Sequence, residues 1–175
     1  WPEGPTGPSE TFDHGWPMTP MALDIAVLQA KYGANDTHAA GDDVYVLPRE
    51  NEPGTGWVAI WDTGGRDAIR NDSGRDAVID LAAATLAYEP GGGGVVSHAE
   101  GIRGGFTIAN GVAIEDAYGG AGDDDVRGND ADNRLFGRKG ADTLWSADGD
   151  DAVRGGRGAD VVSGGRGDDR IVGGP

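Results

Sequence analysis

The chain has 175 residues and a formal charge of −16, with 30 acidic and 14 basic side chains. A surface this acidic argues against nucleic acid as a partner, because binding to phosphates needs a basic surface. The absence of cysteine excludes disulfides and thiolate zinc sites. No apolar run approaches the roughly 20 residues that a membrane-spanning helix needs. The 33 glycines and 7% aromatic residues favour a turn-rich β protein.

Residues 1–18 are rich in proline and glycine, which indicates an N-terminal arm or a linker. A helix is predicted over residues 19–33, with Thr19 as its N-cap and Pro20 at the first helical position. Gly33 is expected to end the helix. One helical face carries an apolar stripe, which is typical of packing against a core. The stripe consists of Met21, Ile25, Leu28 and Tyr32.

Residues 34–118 alternate short apolar pieces with turn residues, which predicts a lead-in of short strands arranged like a sandwich. Three acids of this region, Asp76, Asp80 and Glu100, are interpreted as solvated surface. The predicted strands are Val44–Val46, Trp57–Trp61, Ala77–Leu81, Val95–Val96, Phe106–Ile108 and Val112–Ile114.

From residue 119 onwards the chain repeats itself every nine residues. A period kept over six short units predicts a stack of coils, so residues 119–175 are assigned to a separate repeat domain. We number the positions of each unit one to nine. The units are GGAGDDDVR, GNDADNRLF, GRKGADTLW, SADGDDAVR, GGRGADVVS and GGRGDDRIV, and a seventh begins with GG before Pro175.

The residue types at each place indicate a metal. Glycine, which is frequent at places one, two and four, permits the positive φ that turns carbonyl oxygens towards a common centre. The place-six acid adds an anionic oxygen, and the place-eight residue points its apolar side chain inward from a short strand. Stacked coils bring carboxylates together and therefore need a hard cation. Calcium accepts six to eight oxygen ligands of these kinds.

The units resemble the GGxGxDxUx nonapeptide of RTX proteins, a calcium-binding repeat. A disordered acidic linker is the alternative, but a linker has no reason to keep an apolar residue at place eight. The expected ligands are the place-two and place-four carbonyls and the place-six side chains. These residues are Gly120, Gly122, Asp124, Asn129, Ala131, Asn133, Arg138, Gly140, Asp142, Ala147, Gly149, Asp151, Gly156, Gly158, Asp160, Gly165, Gly167 and Asp169.

Several units depart from the pattern. Arg138 and Ala147 occupy the glycine-preferring place two, where their carbonyls can still bind an ion at some cost in strain. In the second unit Asn129, Ala131 and Asn133 replace Gly, Gly and Asp, and asparagine offers a neutral ligand. Four arginines are interpreted as a solvated face that tempers the acids. They are Arg127, Arg154, Arg157 and Arg166.

Four segments resemble one known family. They are PMTPMALDIAVLQAKYGAN at 17–35, GDDVYV at 41–46, AIWDTGGRDAIR at 59–70 and GVAIEDAYGGAGDDDVRGNDADNRLFG at 111–137. The segments are similar to the C-terminal part of serralysins, secreted bacterial metzincin metalloproteases, from about residue 17 to the end of the chain. The resemblance implies a mostly β fold with a right-handed parallel β-roll. Two nonapeptides then form one coil, and each calcium lies between a unit and its second neighbour.

The resemblance also implies calcium ligands upstream of the repeats. With four ions among the repeats and one or two upstream, five or six calcium ions are expected. The alternative for the upstream acids is plain surface solvation. The implied upstream ligands are Ala39, Gly41, Asp43, Asp62, Gly64, Gly65, Asp67, Ala113 and Glu115.

A serralysin carries HExxHxxGxxH and a Met-turn before this helix, and neither motif is in this sequence. No two of the three histidines, His14, His38 and His98, are four residues apart, so they cannot form a helical zinc site. The chain itself is therefore expected to hydrolyse nothing. Zinc would belong to the catalytic domain of a parent metalloendopeptidase.

The sequence thus favours a calcium-binding β-roll module of a secreted, extracellular bacterial metalloprotease. The resemblance implies the parent's catalytic domain and a type I secretion apparatus as partners. The alternative is a structural or adhesive calcium-dependent β-solenoid without a protease. Flat threonine arrays would favour that alternative, but the repeats contain only Thr143. The strand edge left uncovered near Pro175 could pair with a second copy of the chain.

Overall fold

The computed structural model of the chain describes residues 16–87 and 92–175. Most of the predicted N-terminal arm, residues 1–15, lies outside the described residues. The described part contains one helix and 14 β-strands, which form three sheets. No helix in these two ranges has the length and apolar character needed to cross a membrane.

The helix α1 comprises Ala22–Tyr32 and begins later than the sequence predicts. The N–H of Met21 donates a hydrogen bond to the Asp24 carboxylate at 3.1 Å, which satisfies one of the free amides at the start of the helix. Gly33 ends the helix as expected, with a φ of 86° and its N–H bonded to a carbonyl of the last turn.

The 14 strands of the described residues form three sheets. A three-stranded sheet consists of β1 (Trp16–Pro17), β3 (Gly56–Ile60) and β7 (Gly105–Ile108). A six-stranded sheet consists of β2 (Val44–Val46), β4 (Ala68–Arg70), β8 (Asp116–Tyr118), β10 (Arg134–Lys139), β12 (Ala152–Arg157) and β14 (Arg170–Val172), which lie side by side in chain order. A five-stranded sheet consists of β5 (Ala77–Asp80), β6 (His98–Ala99), β9 (Asp125–Arg127), β11 (Thr143–Trp145) and β13 (Val161–Ser163). Within the described ranges all strand pairs are parallel except β5 with β6.

Alternate units of the repeat pair with each other. Leu135 lies opposite Val153 on the neighbouring strand, and Leu144 lies opposite Val162. Odd units therefore supply the five-stranded sheet and even units supply the six-stranded sheet. This parallel pairing of second neighbours agrees with the β-roll that the resemblance implies.

The core is a narrow strip of place-eight side chains. Val126, Leu135, Leu144 and Val153 are buried in one hydrophobic cluster. Ile69 and Ile79 of the lead-in join the same cluster, because β4 and β5 extend the two sheets of the repeats. Inward apolar residues of this size each contribute about 1.5–3 kcal/mol, so the strip is the main apolar stabilisation of the repeats.

Part of the lead-in continues the sheets of the repeats. Its strands β2, β4 and β8 continue the six-stranded sheet, and β5 continues the five-stranded sheet. The predicted strands Val95–Val96 and Val112–Ile114 are wrong, since the nearby strands are β6 and β8. Parallel register with the repeats, rather than the local apolar pattern, decides which residues become strand here.

The helix packs loosely on this framework. Thr19 does not cap it, because the Thr19 Oγ1 accepts a hydrogen bond at 2.9 Å from the N–H of Ala59 in β3. Of the predicted apolar stripe, Ile25 packs against the core. Leu28 and Tyr32 are 48% and 73% exposed, so the interpretation of the stripe as core packing is wrong for these two residues.

Candidate metal centre

The place-six residues of the repeats form two columns of acids along the stacked strands. In each column a carboxylate accepts a hydrogen bond from the N–H of the place-six residue 18 positions earlier. The N–H of Asp124 donates to Asp142 Oδ1 at 2.9 Å, and the N–H of Asp142 donates to Asp160 Oδ1 at 3.1 Å. In the other column Asn133 donates to Asp151 at 2.8 Å, and Asp151 donates to Asp169 at 3.1 Å.

The second oxygen of the central carboxylates has no donor. Asp142 Oδ2 and Asp151 Oδ2 are buried and accept no hydrogen bond from any described residue. Leaving such an oxygen unpaired in the interior costs several kcal/mol in the charged form. Each column therefore presents a row of inward oxygens whose chemistry fits a cation.

Burial changes the protonation of these acids. Desolvation raises the pKa of Asp142 from 3.8 to about 6, although the hydrogen bond from Asp124 opposes the shift. The neighbouring carboxylates of Asp124 and Asp160 raise this pKa further. Desolvation also raises the pKa of Asp124 and of Asp151. The ionised forms of these carboxyl groups are thus disfavoured in the folded chain unless a bound cation balances their charge.

This shift predicts how the ion-free fold depends on pH. A carboxyl group whose pKa is higher in the folded than in the unfolded chain stabilises the fold at low pH, and this stability is lost as the pH rises through the folded pKa. For Asp142 the window runs from about 4 to about 6. In calcium-free buffer, the β signal in circular dichroism is expected to be stronger at about pH 5 than at neutral pH. An equal or weaker signal at the lower pH would contradict this prediction.

The place-four turns of alternate units pack closely against each other. A side chain at Gly158 would collide with the carbonyl oxygen of Gly140, and one at Gly167 would collide with that of Gly149. Both glycines also have a positive φ. Glycine is therefore required at these two place-four positions.

In two units the place-two residue has a positive φ although it is not glycine. Arg138 and Ala147 both adopt a φ of 77°, as the sequence predicts. A non-glycine residue in this left-handed region costs about 1–2 kcal/mol. The turn geometry is thus imposed on these units by their stacked neighbours.

The strain at Ala147 can be relieved. The Ala147→Gly variant is expected to raise the free energy of unfolding by about 1 kcal/mol in calcium, because glycine accepts a positive φ freely. Ala131, at place four, has a negative φ, so Ala131→Gly is the control and should lower stability. Urea denaturation of both variants measures the difference, and a shift of the same sign in both would refute the strain at Ala147.

Three acids of the lead-in form a second cluster. Ligand oxygens of Asp43, Asp62 and Asp67 all lie within 4.8 Å of one another. The Asp43 N–H donates to Asp67 Oδ1 at 2.8 Å, and the Tyr45 hydroxyl donates to Asp62 at 2.6 Å. Asp67 Oδ2 is buried without a donor among the described residues. Desolvation raises the pKa of Asp67 to about 6, and the carboxylates of Asp62 and Glu115 add to this shift.

This cluster belongs to the same column as the even units. The register pairs Val44, Ala68, Asp116 and Arg134 on successive strands. The residue before each of them occupies place six, and the Asp67 N–H donates to Glu115 Oε2 at 2.9 Å as in the repeats. One long column therefore runs through both lead-in and repeats. Its members are Asp43, Asp67, Glu115, Asn133, Asp151 and Asp169.

Four of the remaining predicted lead-in ligands have contacts near the cluster: Ala39, Gly41, Gly64 and Gly65. The Ala39 carbonyl accepts a hydrogen bond from the Thr63 N–H at 3.3 Å, and Gly64 donates to Asp62 at 3.0 Å. Gly65 lies against the Gly41 carbonyl, so close that only glycine fits. Ala113 is exposed two residues before Glu115.

The second unit replaces charge by amides. Asn129 Nδ2 donates to the carbonyls of Leu81 and Ile114 at 3.0 and 2.9 Å. Asn133 Nδ2 donates to Asn129 Oδ1 at 3.0 Å, and Asn133 Oδ1 accepts from the Asn129 N–H at 2.8 Å. Asn133 Oδ1 therefore accepts its hydrogen bond from its own unit and not from the preceding strand of the column. The long column is interrupted by a neutral, self-satisfied network.

Two buried residues of the lead-in, Asp80 and Asn71, differ from the sequence interpretation. Asp80 is 5% exposed and accepts from the Ala82 N–H, so its interpretation as solvated surface is wrong. Asn71, which the sequence analysis missed, donates to the Arg75 carbonyl at 3.0 Å and to Asp124 at 3.4 Å. The segment NDSGRDAVI at 71–79 could have indicated Asn71, because its Gly and Asp follow the spacing of the nine-residue units in part.

Comparison with known proteins agrees with this geometry. The family model of the RTX calcium-binding nonapeptide repeat, which describes four copies, matches residues 118–153 and again 145–175. These matches cover all six nine-residue units. The repeats of this chain are therefore RTX calcium-binding repeats.

Three relatives are serralysins. The serralysin of Photorhabdus laumondii is 36% identical over 132 residues, which are 69% of this chain and 25% of the relative. The serralysin of Proteus mirabilis is 35% identical over 137 residues, 71% of this chain and 25% of the relative. Serralysin C of Dickeya chrysanthemi is 35% identical over 135 residues, 71% of this chain and 26% of the relative.

The chain spans about a quarter of the length of these relatives. The likeness concerns their RTX part and not their catalytic domain, which agrees with the expectation that this chain is not itself the protease. The nonapeptide repeats and the shared sequence of the lead-in identify the chain as the RTX calcium-binding part of a serralysin-type protein.

Proposed function

We propose that the chain is a module that folds when it meets extracellular calcium and thereby stabilises the catalytic domain of a secreted zinc metalloprotease. The observation that carries the proposal is the presence, in both columns, of buried carboxylates with one oxygen left unpaired: Asp67, Asp142 and Asp151. Folding without a cation would bury these charges uncompensated. Calcium supplies two positive charges per site and accepts carboxylate and carbonyl oxygens together.

The ions would lie between each unit and its second neighbour. The place-two and place-four carbonyls and the place-six side chains of both units would hold each ion. Four such pairs exist among the six units, and the cluster of Asp43, Asp62 and Asp67 adds one or two sites with Glu115. Five or six ions would offset about 10 to 12 of the 16 negative charges.

Coupling of folding to calcium suits secretion. Inside a bacterial cell, where calcium is scarce, stacked carboxylates repel and the chain would stay loose enough for a type I secretion channel. Outside the cell, binding would drive folding and place the catalytic domain on a rigid support. The exposed apolar side of α1, with Leu28 and Tyr32, is available for contact with that domain.

A direct count of bound ions tests the proposal. Equilibrium dialysis of the full chain against radioactive calcium is expected to give five or six ions per molecule, with magnesium unable to replace them because it demands a smaller octahedral site. A count of one or none would refute the calcium module. A full count without any change in far-ultraviolet circular dichroism would refute the coupling to folding.

A further inference from the structure

A basic surface stands out on this acidic chain. A cavity of about 480 Å³ lies beside β10 and β12, with four cationic side chains and no acid among the residues that line it. Acids outnumber bases by 30 to 14 in the whole chain, so a cavity whose charged lining residues are all basic differs from the rest of the sequence and points to an anionic ligand. We call this cavity the basic groove. Its walls are Phe136, Arg138, Lys139, Arg154, Gly156 and Arg157, and Pro175 completes them.

The repeat register brings these charges together. Lys139 lies directly opposite Arg157 on the neighbouring strand, and Phe136 lies opposite Arg154. Neighbouring strands are about 4.8 Å apart, and like charges opposite each other destabilise a sheet. The same repulsion between like charges arises among the carboxylates of the acid columns, where the charges are negative. An anion between Lys139 and Arg157 would relieve their repulsion.

Intramolecular acids do not relieve it. Within residues 16–87 and 92–175, Lys139, Arg154 and Arg157 form no ion pair. Other arginines of the chain do, such as Arg70 with Asp72 at 2.8 Å. Arg138 is only weakly engaged, at 3.6 Å from Asp72. The groove thus contains three cationic side chains without an ion pair among the described residues. Two of them are arginines, whose guanidinium groups can each donate two parallel hydrogen bonds to an oxyanion.

The floor of the groove is apolar and rigid. Phe136 is half-buried and stacks on Tyr118, with ring centroids 5.0 Å apart and planes 8° from parallel. Gly156, opposite Arg138, lies so close to the Arg138 carbonyl that only glycine fits, so no side chain projects into the groove from this position. A ligand with a ring as well as an anionic group would place the ring on Phe136 and the anion on the arginines.

We propose that the basic groove binds the phosphate or sulfate ester of a sugar. The oxyanion would lie between Lys139, Arg154 and Arg157, and the sugar ring would contact Phe136. This role lies beyond calcium binding, because the groove uses none of the column carboxylates. Only one part rests on the proposed function, namely that the groove assembles when calcium has stacked the units.

Calorimetric titration of the full chain tests the groove, in saturating calcium and at low ionic strength to limit screening. The probes are a sulfated disaccharide, the same disaccharide without sulfate, and inorganic sulfate as a competitor. Arg157→Ala is expected to weaken binding of the sulfated probe about tenfold. The matched control is Arg166→Ala, which changes the same place-three position in the sixth unit, where Arg166 is 87% exposed and paired with Asp148. The control should leave affinity unchanged.

The outcomes separate the alternatives. Displacement of the probe by sulfate supports an oxyanion site, and binding to phosphatidylglycerol vesicles instead of the disaccharide would assign the ester to a lipid rather than a sugar. Equal binding of the unsulfated disaccharide, equal loss in Arg166→Ala, or no binding of any probe would overturn the proposal. Arg154→Gln provides a second variant if circular dichroism shows that Arg157→Ala is unfolded. Binding that depends on Arg157 but not on calcium would uphold the groove while refuting calcium-driven folding.

Discussion

Stripping the chain of calcium with EGTA is expected to abolish most of its β signal in circular dichroism, and added calcium should restore the signal cooperatively. The physical reason is the set of buried carboxylates at Asp67, Asp124, Asp142 and Asp151, which would face each other uncompensated. A fold of this size has a net stability of only about 5–15 kcal/mol, and several buried unpaired charges exceed that.

Controls keep the calcium experiment specific. Equal ionic strength supplied as sodium chloride should not restore the signal, because screening by monovalent ions acts weakly on buried charges. Magnesium is the second control, since it holds its water more tightly than calcium does. A metal-free chain with an unchanged spectrum and an unchanged melting temperature would contradict the calcium-dependent fold.

Asp142→Asn is expected to act in opposite directions with and without calcium. Asparagine keeps the oxygen that accepts the Asp124 N–H but removes the charge at a side chain that is only 1% exposed. In calcium the variant should lose about 3 kcal/mol of unfolding free energy, because a charged ligand is gone. Without calcium the same variant should retain more β signal than the wild type, because one buried charge has been removed.

Urea denaturation in calcium and circular dichroism in EGTA measure the two effects. Asp168→Asn is the matched control, because it removes one charge from an exposed place-five side chain in the sixth unit. The control should change neither measurement appreciably. If Asp142→Asn destabilised the chain equally under both conditions, Asp142 would be a structural residue rather than a cation ligand.

The sequence was sufficient for the repeats because their physics is local and periodic. The nine-residue period predicted the buried place-eight residues, such as Leu144, and the positive φ at Arg138 and Ala147. The pairing of alternate units was implied by the family resemblance, and the strand register agrees with it. The acids at Asp43, Asp62 and Asp67 were implied by family resemblance, and the structure brings these three together.

The register that joins the lead-in to the repeats escaped prediction because the spacing of the lead-in is irregular. The column residues Asp43 and Asp67 are 24 positions apart, and Asp67 and Glu115 are 48 apart, whereas the repeats keep a constant 18. No fixed period joins them, so their common register appears only in three dimensions. The burial of Asp80 was missed for the same reason, as tertiary packing and not local pattern decides it.

The amide network of the second unit divides the long column into two charged blocks with an uncharged spacer between them. In stacked arrays each layer depends mainly on its immediate neighbours. We therefore expect an ion lost from one block to loosen that block and to leave the other intact. Asn129 and Asn133 would then keep local unfolding that starts in one charged block from spreading into the other.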